Sequence, residues 1–455
     1  MRINYRRTTF SRHSLAAAFF FCTGVFAGTV AVAADSTESM KKIAISGYGA
    51  IEAGKIVAGR YQYQMSAPEI NTWVGHVYAG LSVKSTLNEH CSVHISLESR
   101  FWYNTSPMFL VPDASSFGAP TQYFDVTIPN AEGILSFGDK EKSAFTINIG
   151  RFEYKYNPQA QDLGEYLFRS GCYPAYIQTN FDLPLARING IAVSHTLFNF
   201  LRQDLLLTTM TNIRPYLDFN LTYIADVSLG KVFDIGGGIS FDHLISVDST
   251  ETINAYTSNG YLKAPGDTAY YTFQGTKLML RFMFDPKRLF NASFFGEKDG
   301  IIYAEAAVLG LKDYPKSTMW DSTNVYSNMY GYNNTFEKMP VMIGCNIPTF
   351  KLLDVLSVEG EWFGSKYQDS YESYMNRKPA PVRPINFANE ETYKHDNWKW
   401  AIYAKKTIFG GVSLIGLVGR DHLRSETYIG QYRDYGATFE LPNHRYWMVK
   451  IKYNF

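Results

Sequence analysis

The sequence predicts an all-β fold, a transmembrane antiparallel β-barrel of about 16 strands. Three observations carry this expectation. Apolar and polar residues alternate with a period of two, in runs of about ten residues where soluble strands usually reach about 5–6. The connections between runs alternate between short turns and long loops. The last run, "HRYWMVKIKYNF", keeps its alternation to the final residue, where soluble chains usually fray.

Length and composition fit such a body. The chain has 455 residues, 46% hydrophobic and 16% aromatic, with 33 Tyr and 32 Phe. Tyrosines carry a polar tip on an apolar body and gather at membrane–water interfaces. After residue 34 no stretch offers about 18 consecutive apolar residues, so a crossing would be made by strands.

The start reads as a signal peptide over residues 1–33. "MRINYRRTTFSRHSL" carries Arg2, Arg6, Arg7 and Arg12 and no acid. The apolar run after it closes in Ala31-Val32-Ala33. Cleavage there leaves 39 basic and 42 acidic residues, a balance that suggests no nucleic-acid partner. Cys91, Cys172 and Cys345 then remain, far apart and in no metal spacing. Residues 34–41 form a short N-terminal segment, and 42–455 the barrel.

The strands follow in order. The first two are expected at 42–56 and 72–84. The third, 91–103, sets Val93, Ile95, Leu97 and Phe101 against Ser92, His94, Ser96, Glu98 and Arg100. The next four fall at 123–138, 143–153, 187–197 and 201–212. In 216–229, Leu217, Phe219, Leu221 and Tyr223 oppose Asp218, Asn220, Thr222 and Asp226. In 232–246, Phe233, Ile235, Ile239 and Phe241 oppose Asp234, Ser240 and Asp242. Strands at 268–284, 300–313 and 338–347 come next. In 355–368, Leu356, Val358 and Trp362 oppose Ser357, Glu359 and Glu361. The last three are 396–408, 412–425 and 444–455.

The polar faces carry real charges, which suits a water-filled lumen better than a sandwich core. Short connections are "STLNEH", "GDKEK", "GK", "TFKLLD" and "GG", and long ones include 247–267, 314–337, 369–395 and 426–443. Two fit less well: 213–215 is short on the long side, and 285–299 is long on the short side.

With the leader, the strand pattern and the aromatic last strand in view, the chain resembles a Gram-negative outer-membrane β-barrel of the porin type. The resemblance covers almost all of the mature chain and rests on architecture. It implies an integral protein of the cell outer membrane, in contact with its lipid. It implies a last strand, with Trp447, Val449, Ile451, Tyr453 and Phe455 facing lipid, that the barrel-assembly machinery reads. It also implies passive diffusion of small hydrophilic solutes or ions, and a homotrimer as one assembly.

Pore-lining candidates are Glu98, Arg100, Asp218, Asp234, Asp242, Glu359 and Glu361, part of a wall of mixed charges expected to be mostly paired. Asp218, Asp226, Asp234 and Asp242 on one hairpin hint at a local preference for cations or sugar hydroxyls.

The third long loop, about 154–186, is apolar for a solvated tip. Leu163, Tyr166 and Leu167 share a helical face, Asn157 suits an N-cap, Pro158 the first helical position and Gly171 the end. The sequence thus predicts a short helix whose apolar face lies on the inner wall, offering Glu165 and Arg169 to the pore; the alternative is a helix that caps the barrel from outside or packs on a neighbour. In trimeric porins the third loop folds inward, and this loop is similar in place and length. It lacks the Pro-Glu-Phe-Gly-Gly block of enteric porins.

Two other classes of function compete with the pore, an adhesin acting through the loops and a barrel hydrolase. The dipeptides at 194–195, 242–243 and 421–422 place adjacent side chains on opposite faces, so none converges on a substrate. Nothing matches the His-Asp-Ser-Asn-Gly block of outer-membrane phospholipases. His76 and His94 are expected to be satisfied wall residues. No catalytic residue, metal ligand or cofactor is expected.

Overall fold

Alternation becomes a wall because each strand finds a partner on both sides. In a computed structural model the strands are β1 (Lys42–Ala58), β2 (Trp73–Thr86), β3 (Cys91–Asn104), β4 in two segments (Thr121–Thr127 and Ala131–Asp139), β5 (Ser143–Tyr154), β6 (Leu183–Leu197), β7 (Leu201–Thr209) and β8 (Phe219–Leu229). They continue as β9 (Phe233–Ile245), β10 (Gly275–Phe284), β11 (Ile302–Val308), β12 (Val341–Asn346), β13 (Val355–Trp362), β14 (Trp398–Thr407), β15 (Val412–Arg420) and β16 (Arg445–Asn454). The described residues are 42–58, 73–104, 121–139, 143–168, 177–180, 183–198, 200–209, 217–230, 232–245, 275–290, 294–309, 311, 317–320, 326–330, 339–362, 398–420, 427–429, 432–434 and 445–455. The expected leader 1–33, the segment 34–41 and Arg169 lie outside them.

Neighbouring strands pair antiparallel, and the first meets the last, with Tyr48 opposite Asn454 and Glu52 opposite Lys450. The sheet is therefore closed, an antiparallel barrel of sixteen strands with no free edge. The two segments of β4 both pair with β3 and count as one strand. They are split at Pro129, which has no N–H for the ladder. Ser96 Oγ accepts the Asn130 N–H there, at 2.9 Å. The short segment Ile177–Asn180 pairs with the start of β6.

The two faces differ as the alternation requires. On β8, Asn220, Thr222, Ile224 and Asp226 are buried, while Phe219 and Tyr223 are exposed. Outward residues form an apolar belt that includes Leu205, Ile235, Leu280, Ile343, Val358, Ile402, Val418 and Ile451, all well exposed. So wide an apolar surface would aggregate in water and is at home in lipid. Rings cluster at the short-turn end: His90 stacks on Phe137, Phe198 on Phe200 and Phe233 on Phe284. This is the aromatic girdle of a membrane interface.

Inward charges pair between neighbouring strands, Lys450 with Glu52 at 3.0 Å, Lys277 with Asp242 at 2.9 Å and Lys399 with Glu361 at 3.2 Å. Arg281 on β10 reaches past β9 to Asp226 on β8 at 2.7 Å. The intervening residue is Gly236, where an added Cβ would lie 1.9 Å from the Asp226 carboxylate.

The ill-fitting connection 285–299 holds a four-residue helix, Lys287–Phe290. Its far end is tied to the next turn, because the Asp299 carboxylate accepts the N–H of Gly296 at 2.8 Å and of Phe350 at 2.9 Å. The other, 213–215, lies outside the described residues.

Candidate pore and its internal loop

The segment after β5 does not leave the barrel. Residues 155–168 lie along its inner wall, and two wall carboxylates hold them. Glu305 on β11 accepts four bonds: from the hydroxyl of Tyr156 at 2.5 Å, Nδ2 of Asn157 at 2.8 Å, and the N–H groups of Glu165 at 3.0 Å and Tyr166 at 2.8 Å. Glu359 on β13 accepts the N–H groups of Gln161 at 2.6 Å, Asp162 at 3.0 Å and Leu163 at 2.7 Å, and the hydroxyl of Tyr303 at 2.6 Å. A carboxylate has about four acceptor sites, so both are fully used. Tyr166 also donates to Glu361 at 2.7 Å, and Lys277 on β10 donates to the Leu167 carbonyl at 3.0 Å.

Apolar packing completes the seat. Leu163, Tyr166, Leu167 and Phe168 join one buried cluster with Leu206, Ile224, Met279, Tyr303 and Met342, which face inward from β7, β8, β10, β11 and β12. Burying each such loop side chain is worth about 1.5–3 kcal/mol. The segment thus starts at β5 and is held at β10 to β13, across the barrel interior.

The expected helix is not there. Residues 157–168 form a chain of turns and bends. Gly164 at φ +87 and Glu165 at φ +62 take the left-handed conformation, which ends a right-handed helix where it falls. Asn157 does not cap a helix; its side chain goes to Glu305. Glu165 does not face open lumen either. It is fully buried, and its carboxylate turns back to accept the N–H groups of Asn157 at 2.5 Å and Tyr156 at 3.4 Å. Burial, and then the nearby Glu305 carboxylate, push its pKa up to about 8, while Lys155 and the two N–H bonds pull it down.

The other candidates stand on the inner wall as the alternation required. Glu98 pairs with Arg100 and, at 3.5 Å, with Arg187, and it accepts the Tyr48 hydroxyl. Asp226 and Asp242 are matched by Arg281 and Lys277. Asp218 is buried at the head of β8, and Asp234 lies inward on β9, half-buried. Glu361 pairs with Lys399, and Glu359 faces the loop. Glu305, which alternation along its strand sets on the inner face, completes the site with Tyr303 and Tyr156, neither of which was singled out as a pore residue. One signal was available: Gly344, in the middle of a strand, marks a close approach. The Tyr303 ring lies over it, 2.2 Å from where a Cβ would stand.

A closed barrel of sixteen antiparallel strands, with an apolar belt outside, an aromatic girdle and a charged interior, has the build of a transmembrane β-barrel. No protein-family model matches the chain, and a search of curated proteins returns no match. Among solved structures it is similar to Salmonella typhi OmpF in complex with daunomycin, at 10% identity and a TM-score of 0.48, covering 91% of this chain and 98% of that one. Pseudomonas putida OprB at high pH gives 11% and 0.46, over 91% of this chain and 94% of that one. Acinetobacter baumannii OccAB4 gives 8% and 0.39, over 92% and 100%.

Proposed function

We propose that the chain is a porin-like channel of a bacterial outer membrane, through which small hydrophilic solutes or ions diffuse passively. The inward loop, within about 154–186, narrows it. One observation carries the reading: residues 155–168 run from β5 to β13 inside the barrel and are held there by Glu305 and Glu359. A sixteen-strand barrel is wide enough to leave an aqueous channel, so a segment laid inside it sets the free cross-section. The paired charges on the wall argue for mild ion selectivity. A cleaved leader, insertion by the barrel-assembly machinery through the strand ending in Phe455, and assembly as a homotrimer belong to the same reading.

The test is planar-bilayer recording on refolded protein, with reversal potentials in a salt gradient and sugar entry into liposomes. Discrete conductance steps with weak selectivity are expected. A folded protein that neither conducts nor admits sugars would leave the loops as the working surface.

A further inference from the structure

Away from the loop, β2 to β5 bring four inward side chains into a relay. Nε2 of His94 on β3 lies 2.7 Å from Oγ of Ser82 on β2. Its Nδ1 lies 3.0 Å from Oε1 of Glu132 on β4. Asn148 on β5 donates from Nδ2 to the other Glu132 oxygen, also at 3.0 Å. The register builds this. His94 is directly opposite Glu132, Ser82 is one pleat diagonal to His94, and Asn148 is diagonal to Glu132.

Proton positions follow from the partners. A carboxylate only accepts, so the neutral imidazole carries its proton on Nδ1. Nε2 is then left with a lone pair aimed at the Ser82 hydroxyl. That is a nucleophile, a general base, and a carboxylate that orients the base, with the carboxylate itself fixed by an amide. Exposure is graded as such a relay needs. The Glu132 side chain is 7% exposed, that of His94 is 22% exposed, and Ser82 is half-buried. Lys84 stands next to Ser82 on the same inner face, in register with His94, and is exposed.

We propose that Ser82, His94 and Glu132 form a hydrolytic site for small water-soluble carboxylic esters that enter the lumen. Ser82 Oγ attacks the acyl carbon, and its proton passes to Nε2 of His94. The carbonyl re-forms, the bond from acyl carbon to alkoxy oxygen breaks, and the alcohol leaves with that proton. Water then attacks the acyl–Ser82 ester and gives its proton to Nε2. Ser82 takes the proton back as the carboxylic acid departs. Ester and water become acid and alcohol, with no other reactant. Lys84 favours esters that carry a negative charge.

The site depends on the barrel but not on conduction, so its test is separate from that of the channel. Folded protein in detergent micelles is treated with a fluorophosphonate probe, which forms a Ser82 Oγ–phosphorus bond and releases fluoride. The adduct is then mapped by mass spectrometry. Modification of Ser82 in the folded wild type, lost on heat unfolding, is expected. Hydrolysis of p-nitrophenyl acetate should fall about a hundredfold or more in Ser82→Ala and His94→Gln variants that keep the mobility of the folded band. Glu132→Gln should lower the rate and shift its pH profile. No adduct on Ser82 in the folded wild type, or one equally abundant after unfolding, would overturn the site without needing any variant to fold. Equal ester turnover in folded wild type and Ser82→Ala would also overturn it.

Discussion

The hydroxyl of Tyr303 donates to Glu359 at 2.6 Å across an intervening strand, and the ring that spans the gap lies over Gly344. The wall thereby presents the Glu359 carboxylate at a fixed place, and the loop's N–H groups at 161–163 close on it. A side chain at Gly344 would displace the ring. Gly344→Val is expected to cost about 1–3 kcal/mol by overpacking. Tyr303→Phe should cost about 0.5–1.5 kcal/mol for the lost hydrogen bond. The readout is the temperature at which the unheated, fast-running gel band disappears. A Gly344→Val barrel as heat-stable as the wild type would refute this placement of Tyr303.

Glu165 makes the loop's seat depend on pH. Its folded pKa is raised to about 8 from an ordinary value of 4.5, so the seated loop favours the protonated form. The seat is strongest below pH 4.5 and weakens as pH rises towards 8, where the free loop would give up a proton that the seated loop keeps. Conductance should therefore rise, or become noisier, as pH climbs through this window. In Glu165→Gln the rise should be absent. A rise of the same size in that variant would place its origin elsewhere.

Facing is testable by charge. Arg at Leu221 or Ile239, on the outward face, should cost about 2–4 kcal/mol near the bilayer midplane. Arg at Asp234, inward and only half-buried, should alter conductance more than folding. The measurements are folded yield in lipid and single-channel current. Equal tolerance on both faces would contradict the register Thr222↔Ser240.

Phe455 is built into the barrel. Its N–H and carbonyl both bond to Gly47, each at 2.9 Å, and its ring meets that of Tyr453. Phe455→Asp is expected to lower the amount of folded barrel in the outer membrane far more than it changes the current through channels that do form. An unchanged folded band would show that neither assembly nor closure depends on this ring.

The barrel was legible in the sequence because one rule governs every strand. Alternation sets the face, and the faces of Glu98, Asp242, Glu359 and Glu361 follow from parity alone. The location of 155–168 on the inner wall was legible from Leu163, Tyr166 and Leu167, which needed an apolar seat. The helix was a misreading, because the same residues reach that seat through two left-handed residues, and wall carboxylates satisfy the N–H groups that a helix would have bonded internally. The clamp at Glu305 and Glu359 depends on how a loop meets strands far from it in sequence, and the Ser82–His94–Glu132 relay on the register of three consecutive strands. Adjacent-residue motifs carry no trace of that alignment.

The central claim is that residues 155–168 narrow an open barrel, and the most direct measurement is single-channel conductance of the wild type against a deletion of residues 158–168. Folding of both is checked by gel mobility. Larger conductance steps in the deletion, with a higher size limit for sugars in liposome swelling, are the expected result. An unchanged conductance and size limit in a folded deletion would contradict the claim.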